Sequence, residues 1–198
     1  MRRLSLAVFF LLAGCVSTRV ESTWTNPTFP ARRIQSFAVF GYTGSPSGRI
    51  AFEETLTQAL RKKGLDAIPG YNFVTYDEWP SREEILRRLA AKNIEGVLVS
   101  KVARRTTKLE STPVFVGGSY GAIYGAGFYD YWVAPMAVAT YTTEENEFVV
   151  ETVLYTLDDN KPMWAARSVT SRTSPSAFAR DIGGAVADGL KQAGLVAQ

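Results

Sequence analysis

Two β-rich runs, Glu147 to Leu157 and Met163 to Thr173, flank the stretch Asp158-Asp159-Asn160-Lys161-Pro162. Turn-forming residues concentrated between runs of β-branched and aromatic residues predict two antiparallel strands joined by a tight connection. The chain then ends in a segment of different period. From Ser176 to Ala193, Phe178, Ile182, Val186 and Leu190 fall four residues apart, and Gly194 follows. That spacing predicts an amphipathic helix, which has to lay its apolar face across the sheet.

The first half of the chain alternates the two periods. Ile34 to Tyr42 reads as a strand ending in Gly44-Ser45-Pro46, and Ser47 to Lys63 as a helix with apolar Ile50, Leu56, Ala59 and Leu60. Arg61-Lys62-Lys63 followed by Gly64 gives this helix terminal cations and a stop. Leu65 to Val74 reads as a second strand. Ser81 and Glu84 form a capping box, in which the hydroxyl takes one orphan amide and the carboxylate reaches back to another. The helix it opens carries Ile85, Leu86, Leu89 and Ala90 on one face and Arg82, Arg87, Arg88 and Lys92 mostly on the other, and Asn93 closes it. Scattered cations of this kind are ordinarily a solvated helix face, with an anionic lipid or polymer as the alternative. Ile94 to Arg104 reads as a third strand; Thr107, Leu109 and Ser111 carry its alternation towards Thr112, and Pro113 limits it.

The order is βαβα-βββ-α. Alternating elements favour parallel pairing and the terminal hairpin adds antiparallel strands, so the expectation is a single α/β (α+β) domain over residues 34–198. It has a mixed sheet of about five strands and three helices.

The amino terminus carries a different signal. Arg2 and Arg3 precede the apolar run Leu4 to Leu12, and small residues lead to Cys15, the only cysteine. This is the layout of a secretory signal peptide over residues 1–14. The run is much shorter than the roughly 20 residues a membrane-spanning helix needs. An ordinary signal followed by an unmodified cysteine would leave a lone thiol in an oxidising compartment. Leu12-Ala13-Gly14-Cys15 resembles the bacterial lipobox, which implies lipid on the Cys15 thiol, cleavage before it and acylation of the new amine. Val16 in place of Asp after the cysteine implies the outer membrane. Residues 15–33, rich in Ser, Thr and Pro, then read as a lipidated tether.

Composition narrows the chemistry. The chain contains no histidine, which removes the commonest general base and the commonest metal ligand. With Cys15 committed to lipid, thiol nucleophiles and the usual zinc sites are also lost, and the sequence offers neither a metal site nor a cofactor loop. The expectation is a non-enzyme. The formal charge of +3 includes Arg2 and Arg3, so the mature chain is nearly neutral and gives no reason to expect a nucleic-acid partner.

Residues 114–141 are the least ordinary stretch, an almost uncharged insertion rich in glycine and aromatic residues. Gly117, Gly121 and Gly125 are four apart, yet Gly118, Gly127, Ser119 and Asp130 interrupt any apolar helix. The spacing is not that of a nucleotide-binding loop. Two readings stay open. Tyr120, Tyr124, Phe128, Tyr129, Tyr131 and Trp132 either fold back onto the sheet or form an interaction surface, since such side chains combine large contact area with polar tips.

With the lipobox, the stretch Leu-Arg-Lys-Lys-Gly-Leu at 60–65, the Val149 to Leu157 strand and the turn Lys161-Pro162-Met163-Trp164 in place, the chain resembles families of uncharacterised bacterial lipoproteins. Lys63-Gly64, Asp158, Lys161 and Trp164 fall where those families carry their motifs. More remotely it is similar to the α/β domain of the curli secretion lipoprotein and the amino-terminal domain of TolB. These resemblances imply partner binding and assembly and carry no functional residue over. The leading expectation is therefore a non-catalytic envelope protein, membrane-bound through its lipid, that binds a protein or envelope polymer or itself. The alternatives are an envelope glycan hydrolase using a carboxylate pair from Asp77, Glu78, Asp130, Asp158 or Asp159, and a component of a secretion or pore assembly.

Overall fold

The expected hairpin forms in register. In a computed structural model that describes residues 18–28, 33–78, 80–107, 127–128 and 146–197, β5 (Asn146–Thr156) pairs antiparallel with β6 (Pro162–Thr170), from Phe148 opposite Thr170 to Leu154 opposite Trp164. Asn160 takes the left-handed conformation in the turn, at φ 54°, which asparagine tolerates. Asp159 accepts from the Thr156 hydroxyl and from the Lys161 amide.

The first half is wound around β2 (Ser36–Tyr42), which pairs parallel with β3 (Asp66–Pro69) on one side and β4 (Gly96–Thr107) on the other. α1 (Pro46–Lys62) connects β2 to β3. Its N-cap Ser45 accepts from the Gly48 amide at 3.2 Å, and Gly64 leaves it at φ 83°. α2 (Arg82–Ala90) connects β3 to β4, with Ser81 accepting from the Glu84 amide at 3.3 Å. The Glu84 carboxylate is taken by Arg87 and Arg88, so the second arm of the capping box serves an ion pair. Arg88 also donates to the Phe73 carbonyl and to Glu78, both at 2.8 Å, which ties part of the basic face to the domain's own surface.

Among the described residues the sheet has six strands in the order β1-β6-β5-β4-β2-β3, and three α-helices. The extra strand is β1 (Thr18–Thr25), an antiparallel edge on β6. It lies within the stretch expected to be tether. Its β-branched and aromatic residues suit a strand, but a shift in register between Val20 and Ser22 breaks the period of two by which strands are read. The second expected strand is shorter than the run Leu65 to Val74, because Pro69-Gly70 ends it and a 3-10 turn follows over Gly70–Asn72.

Alternate residues of the central strands serve two cores, which is why these strands read as near-continuous apolar runs. Phe37, Val39, Leu98 and Leu154 face α1 and α3 (Pro175–Gln192), while Ala38, Phe40, Val97 and Val99 share the other core with Ile85 and Leu89 of α2. Phe178, Ile182, Val186 and Leu190 of α3 are buried as their spacing predicts. Ile50, expected on the buried face of α1, is 48% exposed; the buried face is instead Arg49, Phe52, Glu53, Leu56, Thr57 and Leu60. Where α1 and α3 cross, a Cβ at Gly183 would stand 2.4 Å from the Ala59 Cβ. Gly183→Val is therefore expected to cost about 1–3 kcal/mol by overpacking, read as a lower urea midpoint at unchanged slope.

Candidate functional site

The winding of the sheet creates one distinctive place. From β2 the chain crosses one face through α1 to reach β3, and from β3 it crosses the other face through α2 to reach β4 on the far side of β2. The connections diverge between the carboxyl ends of β2 and β4, where Tyr42 pairs with Lys101. Crevices at such switch points are where open α/β sheets hold ligands.

A cavity of about 140 Å³ opens there, lined among others by Tyr42, Phe52, Val102, Phe148, Phe178 and Arg172. Phe52 of α1 and Phe178 of α3 stack with centroids 6.0 Å apart. Polar groups of the lining are engaged: Ser100 and Thr152 share a hydrogen bond of 2.9 Å, and the Thr170 hydroxyl accepts from the Arg172 amide at 3.0 Å. Arg172 Nε donates to Asp181 Oδ2 at 3.0 Å. The same carboxylate oxygen accepts from the Thr18 hydroxyl at 3.0 Å, which links the start of β1 to the cavity mouth. Burial pushes the Lys101 ammonium below its ordinary value, and Glu151, directly opposite on β5, opposes that shift.

A second cavity, of about 130 Å³, lies beside the first and is bordered by Gly41, Ser45, Arg49, Tyr76 and Glu78. Its wall is held by a buried ion pair. Arg49 Nε donates to Glu53 Oε1 at 2.8 Å and an Arg49 Nη to the Val74 carbonyl at 2.9 Å. Glu53 also accepts the amides of Gly41 at 3.0 Å and Tyr71 at 2.7 Å, so one carboxylate fastens the end of β2, the 3-10 turn and α1. Burial raises the Glu53 carboxyl above its usual range, offset by Arg49 and by those two amides. Neither residue was singled out from the sequence. The available signal was their i, i+4 placement on the same helical stripe as Phe52, Leu56 and Leu60.

At the next residue of α1, Glu54 Oε2 accepts from the Tyr71 hydroxyl at 2.5 Å. This bond pushes the phenol up to about 12 and the Glu54 carboxyl down. A raised phenol contributes stability that is present below its ordinary value and lost as pH rises through about 12. A depressed carboxyl contributes stability that is lost as pH falls through its folded value. Spectrophotometric titration is expected to show raised tyrosine steps from Tyr71 and from Tyr155, whose phenol burial also pushes up, and Tyr71→Phe is expected to remove only the first. The mutant's stability deficit is expected to shrink at both pH extremes.

Of the six aromatic residues expected to form a surface, Phe128 is the one among the described residues. Phe128 is fully buried in the α2-side core, tilted against Phe40 at 6.5 Å, and its amide donates to Asn160 Oδ1 at 2.9 Å. It is a core residue and not part of an exposed patch, because it meets the apolar side of β2 and the β5–β6 turn. Cys15, Tyr120, Tyr124, Tyr129, Tyr131, Trp132 and Asp130 lie outside the described residues. Of the candidate carboxylates, Glu78 accepts from Arg88 and is held below its usual range chiefly by that bond, while Asp159 serves the hairpin turn. Among the described residues no group of three or more His, Cys, Asp or Glu is placed to hold a metal, and no helix is long and apolar enough to cross a membrane.

No family model matches the chain, and no curated protein matches it. Among solved structures it is similar to a PelC dodecamer from Paraburkholderia phytofirmans, at 16% identity over 91% of this chain and 99% of that chain, with a TM-score of 0.45. Lipoprotein GNA1162 from Neisseria meningitidis is also similar, at 12% identity over 80% of this chain and 95% of that one, with a TM-score of 0.36. At such values the function rests on this chain's own residues.

Proposed function

We propose that this protein is a lipid-anchored component of the bacterial cell envelope, held in the outer membrane through Cys15. Its domain binds a protein or envelope polymer and performs no chemistry of its own. The observation that carries the reading is Leu12-Ala13-Gly14-Cys15 after a short apolar run and two arginines. The start of β1 at Thr18 adds a geometric consequence. Two residues, Val16 and Ser17, separate it from Cys15, and an extended chain spans at most about 3.3–3.6 Å per residue, so the three steps hold the lipid-bearing Cys15 within roughly 10 Å of the sheet. The carboxyl ends of β2 and β4, the first turns of α1 and α3 and the switch-point cavity are at this same end. Absence of histidine and the engagement of Glu78 and Asp159 in an ion pair and a turn support a binding role over hydrolysis.

Envelope fractionation tests the reading. Wild-type protein is expected to sediment with outer membranes and resist salt extraction, while Cys15→Ser moves to the soluble periplasmic fraction. A Cys15→Ser chain that still sediments with membranes would overturn it.

A further inference from the structure

The switch-point cavity has features of a small-molecule site that the anchoring function does not call on. Its volume of about 140 Å³ is below the roughly 300–1,000 Å³ of sites for drug-sized ligands. It is close to the engineered cavity of about 150 Å³ that takes up benzene. Its lining includes Ser100, Lys101 and Thr170, but the wall surface is mostly apolar, from Phe52, Val102, Phe148, Val150 and Phe178, which suits a ring or a short alkyl chain. Its mouth has the opposite character. Arg172 spends one donor on Asp181, and a guanidinium has five. Neither α1 nor α3 carries an acidic residue in its first turn, and the two helices start side by side, a Cβ at Gly48 lying 3.5 Å from Pro175 Cγ. Paired helix amino termini favour negative charge nearby, and Asp181, one turn further along α3, supplies part of it through its bond to Arg172.

We propose that the cavity between the carboxyl ends of β2 and β4 binds a small monocarboxylate. Its ring-sized or short-alkyl body lies against Phe52, Phe148 and Phe178, and its carboxylate meets Arg172 at the mouth. A much larger body would extend past the open mouth into solvent, and a neutral ligand leaves the guanidinium's remaining donors unused. The site goes beyond the anchoring function, because its residues all lie in the folded domain.

Titration of the mature chain carrying Cys15→Ser with benzoate and with hexanoate, followed by amide NMR, tests the proposal. Benzyl alcohol serves as the neutral match. Saturable shifts are expected at Ser100, Val150 and Phe178 with at least one carboxylate, the benzoate and hexanoate arms telling a ring from an alkyl body. Arg172→Met is expected to weaken carboxylate binding about tenfold and to leave benzyl alcohol unchanged, as loss of a charged hydrogen bond requires. Val102→Phe, which fills the cavity, is expected to abolish all three. Absence of saturable shifts with both carboxylates, or equal affinity for benzoate and benzyl alcohol in the unmutated site, would overturn the proposal. The exposed Arg172 variant keeps the test decisive where the cavity-filling variant misfolds. Because the tested chain carries no lipid, the result does not depend on anchoring.

Discussion

Phe128→Ala is expected to lower the unfolding free energy by about 3–5 kcal/mol, the range for deleting a buried phenylalanine ring. The expectation comes from where the residue sits. Phe128 is fully buried beside Phe40, and its amide is tied to Asn160 in the β5–β6 turn. Thr107 and Asn146, the described residues that flank this part of the chain, both lie at the opposite end of the sheet, since β4 and β5 are paired from Gly96 opposite Thr156 to Thr107 opposite Asn146. Phe128 is thus a pin far from both exits. A surface aromatic would instead give a change within about 0.5 kcal/mol. Urea unfolding separates the two, and an altered slope would add that the mutation changes how much surface unfolding exposes.

Arg49→Met is expected to cost a similar 3–5 kcal/mol, for a different reason. Removing one member of a buried ion pair leaves the other charge without compensation, and here the survivor is the fully buried Glu53. The loss has a pH signature. Without the guanidinium, burial raises the Glu53 carboxyl further, and a raised carboxyl favours the folded state only where it is protonated. The deficit is therefore expected to be smaller near pH 4 than near pH 7. Adding Glu53→Gln to Arg49→Met is expected to recover a large part of the loss at pH 7, because the amide keeps an acceptor for Gly41 or Tyr71 without a charge. A double mutant no more stable than Arg49→Met alone would mean that packing, and not charge, sets the cost.

How legible each element was in the chain follows from whether its signal is local. The hairpin, the Ser81 cap and the α3 stripe each depend on residues within a few positions of one another, and each forms where it was expected. Ile50 misled because a single exposed isoleucine looks like a core residue until the helix is seen to bury Arg49 and Glu53 in its place. β1 was missed because its residues are mostly exposed at a sheet edge and its register shifts midway. The cavity has no local signature at all. Its walls come from β2, α1, β4, β5, β6 with the loop after it, and α3, and only the winding order brings Phe52, Phe148, Phe178 and Arg172 together.

Intact-mass and amino-terminal peptide analysis of the protein purified from outer membranes tests its anchoring most directly. The expected result is a mature chain that begins at Cys15, with a diacylglyceryl thioether on the sulfur and an acyl group on the amine. A chain that begins elsewhere, or one with an unmodified Cys15 thiol, would contradict it.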